Sequence, residues 1–360
     1  MQPSGLKGFY EQTRAAKKIV VVDLGFLGDT LHLVPALWEI KQHYAAELHV
    51  VSSPLGAEVL RLAPCVDRAW PVVLDPAKRS LREQLRLIRA LRREKFDVAI
   101  NFGGTDRTII LMALTGARWR VAHAAGRSHF WNNWLVPYWV PRLNPNLTAF
   151  EQRRQLLAAC GFTLQPPRFD LRVDDASLQW AKATVPLGAV HLSINSANPM
   201  KEWPLEHYAA MLKMVWQTEP ELPAVVSIGA KPRERDRLQQ FLAIVNDPRL
   251  RTLPENLSIM QLAAALTRCR LHFGPDSGGV HLAMALGVPT ISFFREQKGY
   301  QAWLPLGANQ QALTVPCSCI DHGVAPCEAS GKAACLARIE PGHIAKMVCD
   351  QAGTVPRSEP

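Results

Sequence analysis

Two series of alternating strand and helix patterns, one in each half of the chain, most constrain what this sequence can fold into. The first begins with an apolar, β-branched run at residues 19–24 and continues to residue 102. The second runs in the same way from residue 190 to residue 294. Strands that alternate with helices are typical of parallel, doubly wound sheets. We therefore predict an α/β protein built from two Rossmann-like domains facing a central cleft.

A segment rich in proline and aspartate, residues 165–187, separates the two series. We place the N-terminal domain at residues 1–170 and the C-terminal domain at residues 171–360, and leave open whether the extreme C-terminal segment packs back on the first domain. The aromatic and Pro/Asn-rich residues 130–148 are predicted to form a loop. Ligands of such folds bind beyond the carboxyl ends of the strands, so the cleft is the predicted site.

The charge balance narrows the possible partners. The chain has 360 residues and a formal net charge of +10, which favours acidic partners such as nucleic acid, phosphates or an anionic membrane. No zinc-finger spacing or RNA-binding aromatic motif is found, so no nucleic-acid partner is predicted. Arginines alternate with leucine and isoleucine at helical spacing in residues 78–95, which fits either a solvated helix face or a face on anionic lipid. Without a run of about 18 apolar residues or a signal sequence, a cytoplasmic protein is expected.

Eight cysteines fall into two groups. Scattered ones are predicted to be buried thiols: Cys65, Cys160, Cys269 and Cys349. The others cluster near the C-terminus: Cys317, Cys319, Cys327 and Cys335. Because the C-x-C spacing matches zinc sites poorly, we favour a structured, reduced loop and leave metal binding open.

The first motif, LGFLGDTLHLVPAL at residues 24–37, follows a predicted strand and opens a helix. It lacks the third glycine of a dinucleotide fingerprint, so NAD binding is poorly supported. Asp29 lies at the junction of strand and helix. A carboxylate there either caps the helix or takes a proton from an attacking hydroxyl.

Two further motifs follow strands of the second half. INSANPMKEWPLEHY, residues 194–208, combines the Ser196 hydroxyl with the Lys201 ammonium, a pair that suits a diphosphate; the alternative is an exposed lysine in a loop. SIGAKPRERDRL, residues 227–238, offers Lys231 and Glu234 as weaker candidates near a ribose or base.

The motif GPDSGGVHLAMALGVPTISFF, residues 274–294, places polar and glycine residues at a helix start. The N–H groups and dipole of a helix N-terminus favour anions. Its candidate ligand-binding residues are Asp276, Ser277, Gly278 and His281. The alternative is an ordinary helix capped by Asp276 or Ser277, with a surface histidine.

In this order, LGDTLHLVPAL, S-x4-K-x-WP and PDSGGVHLAMALGVPTISFF resemble the motifs of the lipopolysaccharide heptosyltransferase family, glycosyltransferase family nine. The tail CLARIEPGHIAKMV is also similar to that of several members. The resemblance implies a two-Rossmann GT-B fold and metal-independent, inverting transfer of heptose. The donor would be ADP-L-glycero-D-manno-heptose, a co-substrate rather than a cofactor. The acceptor would be a Kdo or heptose sugar of the lipopolysaccharide inner core on lipid A.

The resemblance also implies residue roles. Asp29 takes the place of the family's general base, and Ser196 and Lys201 take the places of its phosphate-binding hydroxyl and lysine. The donor motif falls on Asp276, Ser277, Gly278 and His281. No metal site or cofactor is expected.

The sequence departs from the family pattern at two positions. Gly279 replaces a usually larger apolar residue, and Asp23, at a position of the first strand, stands where members often carry a basic residue.

Because the family's acceptor is acidic, arginines of the first domain are candidate anion clamps: Arg68, Arg107, Arg120 and Arg127. The positive net charge fits a peripheral enzyme on the inner leaflet of the inner membrane.

Other functions remain open at this point. A relative that uses another nucleotide sugar would have the same phosphate-binding motifs. A non-catalytic nucleotide-sugar-binding or assembly protein would not need both Asp29 and Lys201. A nucleic-acid-binding protein rests on the net charge alone, and predicts salt-sensitive oligonucleotide binding.

Overall fold

Each half of the chain folds around its own six-stranded parallel sheet. The structure is a computed structural model and describes residues 6, 8–73, 80–123, 132–141, 143–317 and 333–352. The chain divides into two units, residues 1–172 and 173–360. The sequence placed this division at 170/171.

The first domain has the strand order β3-β2-β1-β4-β5-β6, with every neighbouring pair parallel. Its strands are β1 Lys18–Val22, β2 Glu47–Ser52, β3 Arg68–Pro71, β4 Val98–Asn101, β5 Trp119–His123 and β6 Tyr138–Val140. Its helices are α1 Phe9–Thr13, α2 Leu27–His43, α3 Pro54–Leu60, α4 Leu81–Arg93, α5 Asp106–Leu114, α6 Asn132–Leu135 and α7 Ala149–Ala159.

The second domain has the order β12-β11-β10-β7-β8-β9, again with every neighbouring pair parallel. Its strands are β7 Ala189–Ser193, β8 Ala224–Ser227, β9 Leu250–Thr252, β10 Cys269–Pro275, β11 Thr290–Arg295 and β12 Gln310–Val315. Its helices are α8 Asp175–Thr184, α9 Leu205–Thr218, α10 Pro232–Val245, α11 Ile259–Thr267, α12 Gly278–Ala285 and α13 Pro341–Ala352.

The central strands are apolar because helices cover both faces of each sheet. In β1, the sequence KIVVV leaves only Lys18 partly exposed. Side chains of β1 alternate between two apolar clusters, with Ile19 and Val21 in one and Val20 and Val22 in the other. The register of β1 is therefore defined, and the residues that follow it leave the sheet at the carboxyl end of the strand.

Aromatic packing anchors the second domain close to its predicted ligand loop. Trp203 is fully buried and contacts Tyr208, Phe273 and Phe293. Their ring centroids lie 5.0–6.0 Å from that of Trp203. Because Trp203 comes two residues after Lys201, this cluster fixes one end of the segment that carries the lysine.

The segment predicted to be a loop and the segment predicted to join the domains both contain regular structure. Residues 130–148 are not a loop throughout, because β6 pairs with β5 within them. The segment 165–187 contains α8, which Asp174 caps by accepting a hydrogen bond from Ser177 N at 2.7 Å. β6 has only three residues and forms by pairing with β5, so its local sequence carries a weak signal for a strand.

The last described helix, α13, packs on α9 within the second domain, with Ile344, Ala345 and Val348 buried in its core. This is where the structure places the C-terminal segment whose packing the sequence left open; residues 353–360 lie outside the described part. None of the described helices combines the length and apolarity that crossing a lipid bilayer requires.

Candidate functional site

The loop between β1 and α2 holds the carboxylate of Asp29 in a defined orientation. Asp29 lies in the first turn of α2, and its Oδ2 accepts a hydrogen bond from Phe26 N at 3.0 Å. Its side chain is 30% exposed, so the carboxylate is only partly covered. A partly exposed carboxylate beyond the end of a central parallel strand has the position expected of a ligand-facing group.

Gly25 allows this loop to close on Asp29. A Cβ added at residue 25 would lie 2.2 Å from the Cβ of Asp29, far closer than two carbon atoms can approach. The glycine of the LGFLGD motif is therefore required by the position of the carboxylate.

Two charged groups beside Asp29 were not predicted as parts of the site. Nη2 of Arg153, from α7, lies 3.5 Å from Asp29 Oδ1 and 3.6 Å from Asp23 Oδ2. Asp23 is buried, and burial raises the pKa of its carboxyl although the Arg153 guanidinium opposes the effect. The sequence marked Asp23 only as a departure from the family, and nothing near Arg153 in the sequence pointed to Asp29.

The four candidate acceptor arginines separate by their place on the first sheet. Arg68 begins β3, at the amino end of the strand, whereas Asp29 lies beyond the carboxyl end of β1. The Arg68 guanidinium contacts Glu94 at 3.0 Å. Arg120 is the second residue of β5 and donates to the carbonyls of Ala117 and Leu135. Both guanidiniums serve local structure, so the structure does not support either as a clamp near Asp29. Arg127 lies outside the described residues.

Arg107 is the candidate arginine that the structure places near the Asp29 loop among those it describes. It lies in the first turn of α5, after β4, and therefore at the same sheet edge as Asp29. It lines a cavity of about 400 Å³ together with Leu24 and apolar side chains of α4 and α5. Leu24 precedes the loop that carries Asp29, so the cavity lies beside that loop.

In the second domain, the structure brings three of the predicted donor residues together. Lys201 Nζ lies 2.6 Å from Asp276 Oδ2, and His281 Nε2 lies 3.7 Å from Asp276 Oδ1. Burial opposes ionisation of Asp276, but its contacts with His281 and Lys201 outweigh it and lower the pKa of the carboxyl. The result is a charged cluster next to the N-terminus of α12.

A buried carboxylate supports the segment that carries Ser196 and Lys201. Glu202 Oε1 accepts hydrogen bonds from Ser196 N at 2.9 Å and from Arg233 Nη2 at 2.8 Å. Arg233 Nη2 also donates to Ser196 O, and Arg237 donates to the Ile194 and Trp203 carbonyls. Both arginines come from α10, so this clamp ties the segment to the next helix. The sequence analysis missed Glu202, Arg233 and Arg237.

The N-terminus of α12 is not capped by a side chain. Ser277 occupies the N-cap position without a side-chain capping hydrogen bond, and Gly278 is the first helical residue. Ser196 Oγ donates to Asp276 O at 3.4 Å, which places the first motif of this domain against the third. Helix N–H groups without a side-chain cap are available to an anion.

Gly279 leaves little room for a side chain beside its neighbours on β7 and β10. A Cβ at residue 279 would lie 3.0 Å from Ser193 Oγ and 3.2 Å from His272 Cε1. The departure from a larger residue at this position therefore accompanies polar side chains behind the helix start. His272 Nδ1 is 2.8 Å from His191 Nδ1, and His191 Nε2 is 2.9 Å from Ser227 Oγ. Burial keeps both histidines neutral by lowering their pKa values, that of His191 to about 4.

Glu234, the weaker candidate, lies in the first turn of α10. It is buried, and its Oε2 would be 2.3 Å from a Cβ at Gly229, so its carboxylate packs against its own loop. Glu234 is thus placed at the carboxyl end of β8, next to the β7 end that precedes Ser196, but without a contact to Lys201 or Asp276 among those described.

One group of potential metal ligands occurs in the described part of the chain: Glu47, His49 and Glu94. Lys18 Nζ already contacts both carboxylates, at 3.1 Å to Glu47 and 2.8 Å to Glu94. This cluster is an ion-pair network at the amino ends of the strands of the first sheet, the end away from Asp29.

Within the cysteine group, Cys317 and Cys335 are buried, whereas Cys319 and Cys327 lie outside the described residues. Of the scattered cysteines, Cys349 is only partly buried.

Comparison with known proteins identifies the family. The family model described as glycosyltransferase family 9 (heptosyltransferase) matches residues 84–332. The chain belongs to glycosyltransferase family 9. The resemblance inferred from the three motifs is thereby confirmed, and the protein is a heptosyltransferase-like glycosyltransferase.

Individual family 9 relatives are distant in sequence. The lipopolysaccharide core heptosyltransferase OpsX of Haemophilus influenzae is 21% identical over 78% of this chain and 80% of its own length. A family 9 crystal structure from Veillonella parvula superposes with a TM-score of 0.79 at 20% identity, covering 94% of this chain and 98% of the other. Escherichia coli heptosyltransferase WaaC with ADP has a TM-score of 0.73 at 19% identity, covering 93% and 99%. These structures confirm the prediction of two Rossmann-like domains of the GT-B type.

Proposed function

We propose that this protein is an inverting, metal-independent heptosyltransferase of lipopolysaccharide inner-core assembly. Its donor is ADP-L-glycero-D-manno-heptose, and its acceptor is a Kdo or heptose sugar on lipid A. The observation that carries the proposal is the Lys201–Asp276 pair, with Nζ and Oδ2 2.6 Å apart, beside the α12 N-terminus. In a family 9 chain, this is a site for a sugar diphosphate.

The donor's diphosphate would bind between the Lys201 ammonium, the Ser196 hydroxyl and the first N–H groups of α12. Ammonium and helix N-terminus both stabilise negative charge, which increases on the ADP as it leaves. Asp276, oriented by Lys201 and His281, offers a carboxylate that accepts hydrogen bonds from heptose hydroxyls. The cationic groups of the chain would therefore do the work that a divalent metal does in other transferases.

Transfer would proceed by displacement at the anomeric carbon through an oxocarbenium-like transition state. The acceptor hydroxyl oxygen forms the new bond to this carbon while its proton passes to the Asp29 carboxylate. The bond between the anomeric carbon and the phosphate oxygen breaks, and its electron pair leaves with ADP. Attack on the face opposite to the leaving group inverts the configuration. A general base contributes about 10²- to 10⁴-fold to such a reaction.

The acceptor side would use Arg107 and the cavity beside the Asp29 loop, because the inner core carries carboxylates and phosphates. An acceptor anchored in lipid also requires that the protein work at the inner-leaflet surface, as a peripheral protein. The net charge of +10 favours that surface. Binding to anionic phosphatidylglycerol vesicles, and not to phosphatidylcholine vesicles, would support this part of the proposal.

The first test is a calorimetric titration with ADP, UDP, GDP and NAD at one salt concentration. We expect selective binding of ADP, and then release of ADP from ADP-heptose in the presence of a Kdo–lipid A acceptor. Activity that survives EDTA would support the absence of a metal. Preference for UDP or GDP would contradict the proposed donor and point to another nucleotide sugar, whereas no binding to any of them would contradict the site itself.

The role of Asp29 has its own test. We expect Asp29→Asn to keep ADP affinity near that of the wild type and to lose at least 100-fold in kcat. Glu58→Gln, which alters an exposed acid on α3, is the matched control and should leave both quantities unchanged. Full turnover by Asp29→Asn would remove Asp29 as the base.

A further inference from the structure

We propose that Arg153 and Asp23 are positioning residues for the proton-accepting carboxylate of Asp29, and that the three side chains act as one charged unit. This inference rests on the proposed function, in which Asp29 takes a proton from the acceptor. It adds two residues to that step, one of which stands 124 positions along the chain from Asp29 (153 − 29 = 124).

A single guanidinium nitrogen lies between the two carboxylates. Arg153 Nη2 is 3.5 Å from Asp29 Oδ1 and 3.6 Å from Asp23 Oδ2. The other terminal nitrogen, Nη1, donates to Ala149 O at 2.9 Å, one turn back along α7, which fixes the position of the guanidinium. With Oδ2 of Asp29 bonded to Phe26 N, both oxygens of that carboxylate have a defined direction.

The buried carboxylate of Asp23 lowers the stability of the fold unless a cation such as Arg153 compensates it. Its side chain is 5% exposed; Oδ1 accepts a hydrogen bond from Gly25 N at 2.9 Å, and Oδ2 has no hydrogen-bond partner among the described residues. A buried carboxylate with an unbonded oxygen destabilises a protein unless a cation compensates it. Arg153 is the cation that contacts it in the described structure.

The arrangement suits a carboxylate whose charge changes during the reaction. Burial favours the neutral form of Asp23, whereas the Arg153 guanidinium and the Gly25 N–H favour the ionised form. In the proposed unit Asp23 is ionised, so two negative groups share one guanidinium before proton transfer. When Asp29 takes the proton of the acceptor hydroxyl, the guanidinium keeps Asp23 as its ion partner, so no buried charge is left alone. The negative charge of Asp23 favours protonation of Asp29, and the positive charge of Arg153 opposes it, so removing each has an opposite effect.

Within the described part of the chain, His123 is a further titratable group that interacts with this unit. His123 ends β5, and its Nε2–H donates to Phe102 O at 3.1 Å. Burial lowers the pKa of His123, and the Arg153 charge lowers it further, so the imidazole is neutral at pH 7. Among the described residues, the charges that act on Asp29 in this unit are those of Asp23 and Arg153.

The test measures the pH dependence of kcat, together with ¹³C-carboxyl NMR titration of aspartate-labelled full-length protein. The Asp29 signal is assigned from its loss in Asp29→Asn. In Asp23→Asn we expect the acidic limb of the rate profile and the Asp29 titration to move down by about one pH unit. In Arg153→Met both should move up by a similar amount, with kcat reduced about 10-fold or more and the KM for the donor unchanged. Arg153→Lys, which keeps the charge if the Met variant does not fold, should restore the titration but only part of kcat.

Arg14→Met is the matched control, because Arg14 is an exposed arginine of the same domain. It should leave the titration and kcat unchanged. Unmoved Asp29 titrations in both the Asp23 and Arg153 variants would overturn the inference, even where their stability falls. A wild-type protein that binds ADP but transfers no heptose would instead contradict the proposed function, while the NMR titration still decides whether the three groups are coupled.

Discussion

Lys201 and Asp276 form an ion pair of 2.6 Å between Nζ and Oδ2, and it joins two loops that are 75 residues apart in the sequence. Both loops follow neighbouring parallel strands, β7 and β10, so the sheet brings their polar ends to one edge. The ammonium is held by a carboxylate and is partly exposed, with 25% of its side-chain surface accessible. If Lys201 binds the diphosphate as proposed, its ammonium is already oriented, which lowers the entropic cost of binding.

Removing the Lys201 ammonium should weaken nucleotide binding. We expect Lys201→Ala to cost about 1.5–3 kcal/mol in ADP affinity, or roughly 10- to 150-fold in Kd, as for a charged hydrogen bond. Asp276 would then present its negative charge to the phosphates without the compensating charge of the lysine. Calorimetry measures the change, with Lys213→Ala, an exposed lysine on α9, as the control. An unchanged Kd would mean that the lysine does not contact the diphosphate.

A methyl group at Gly25 should displace Asp29 without affecting donor binding. The added Cβ of Gly25→Ala would meet the Asp29 Cβ at 2.2 Å, so the β1–α2 loop has to shift. We expect kcat to fall by at least 10-fold, since misplacement by about 1 Å costs up to 10²-fold, while ADP affinity is retained. In the control Gly342→Ala, the new Cβ would lie at 3.7 Å from Met214 Sδ, an ordinary contact. Wild-type kcat in Gly25→Ala would show that the loop tolerates the shift.

The Glu202 clamp should affect both stability and nucleotide binding. Glu202→Gln removes the charge that pairs with Arg233, while keeping an oxygen for Ser196 N. We expect a loss of about 1.5–3 kcal/mol in the free energy of unfolding, the range for a hydrogen bond to a charged group, together with weaker ADP binding. Urea denaturation measures the first and calorimetry the second; Glu206→Gln, an exposed glutamate on α9, should change neither. Unaltered stability would show that Arg233 and Arg237 hold the segment without the carboxylate.

The buried histidine pair should make the protein less stable at mildly acidic pH. Burial lowers the pKa of His191 to about 4 and that of His272 well below its usual value, compared with about 6.5 in the unfolded chain. The unfolded state therefore binds more protons between pH 6.5 and pH 4. This contribution to stability is complete above pH 6.5 and is lost as the pH falls, by up to about 1.4 kcal/mol per pH unit for each histidine.

Chemical denaturation at a series of pH values tests this expectation. His191→Gln should reduce the slope of unfolding free energy between pH 6.5 and pH 4, whereas His343→Gln, on the exposed face of α13, should not. A slope that is the same in the wild type and His191→Gln would show that the pair takes up no protons on unfolding in this range.

The sequence by itself determined the α/β class, both series of strands and helices, and the family. These depend on local patterns: apolar β-branched runs such as Ile19–Val22, helical periodicity, and three motifs whose residues are adjacent in the chain. The same local information placed Asp29, Ser196, Lys201 and Asp276 at the carboxyl ends of strands. Their roles in catalysis and donor binding remain proposals.

The tertiary structure decided which distant side chains meet. Arg153 lies beside Asp29 because α7 packs on α2, and Arg233 lies beside Glu202 because α10 packs on α9. No local pattern encodes such contacts, because they depend on how elements pack across a sheet. The sequence therefore singles out the candidate polar residues, whereas packing decides which charged neighbours they have and how their side chains are oriented.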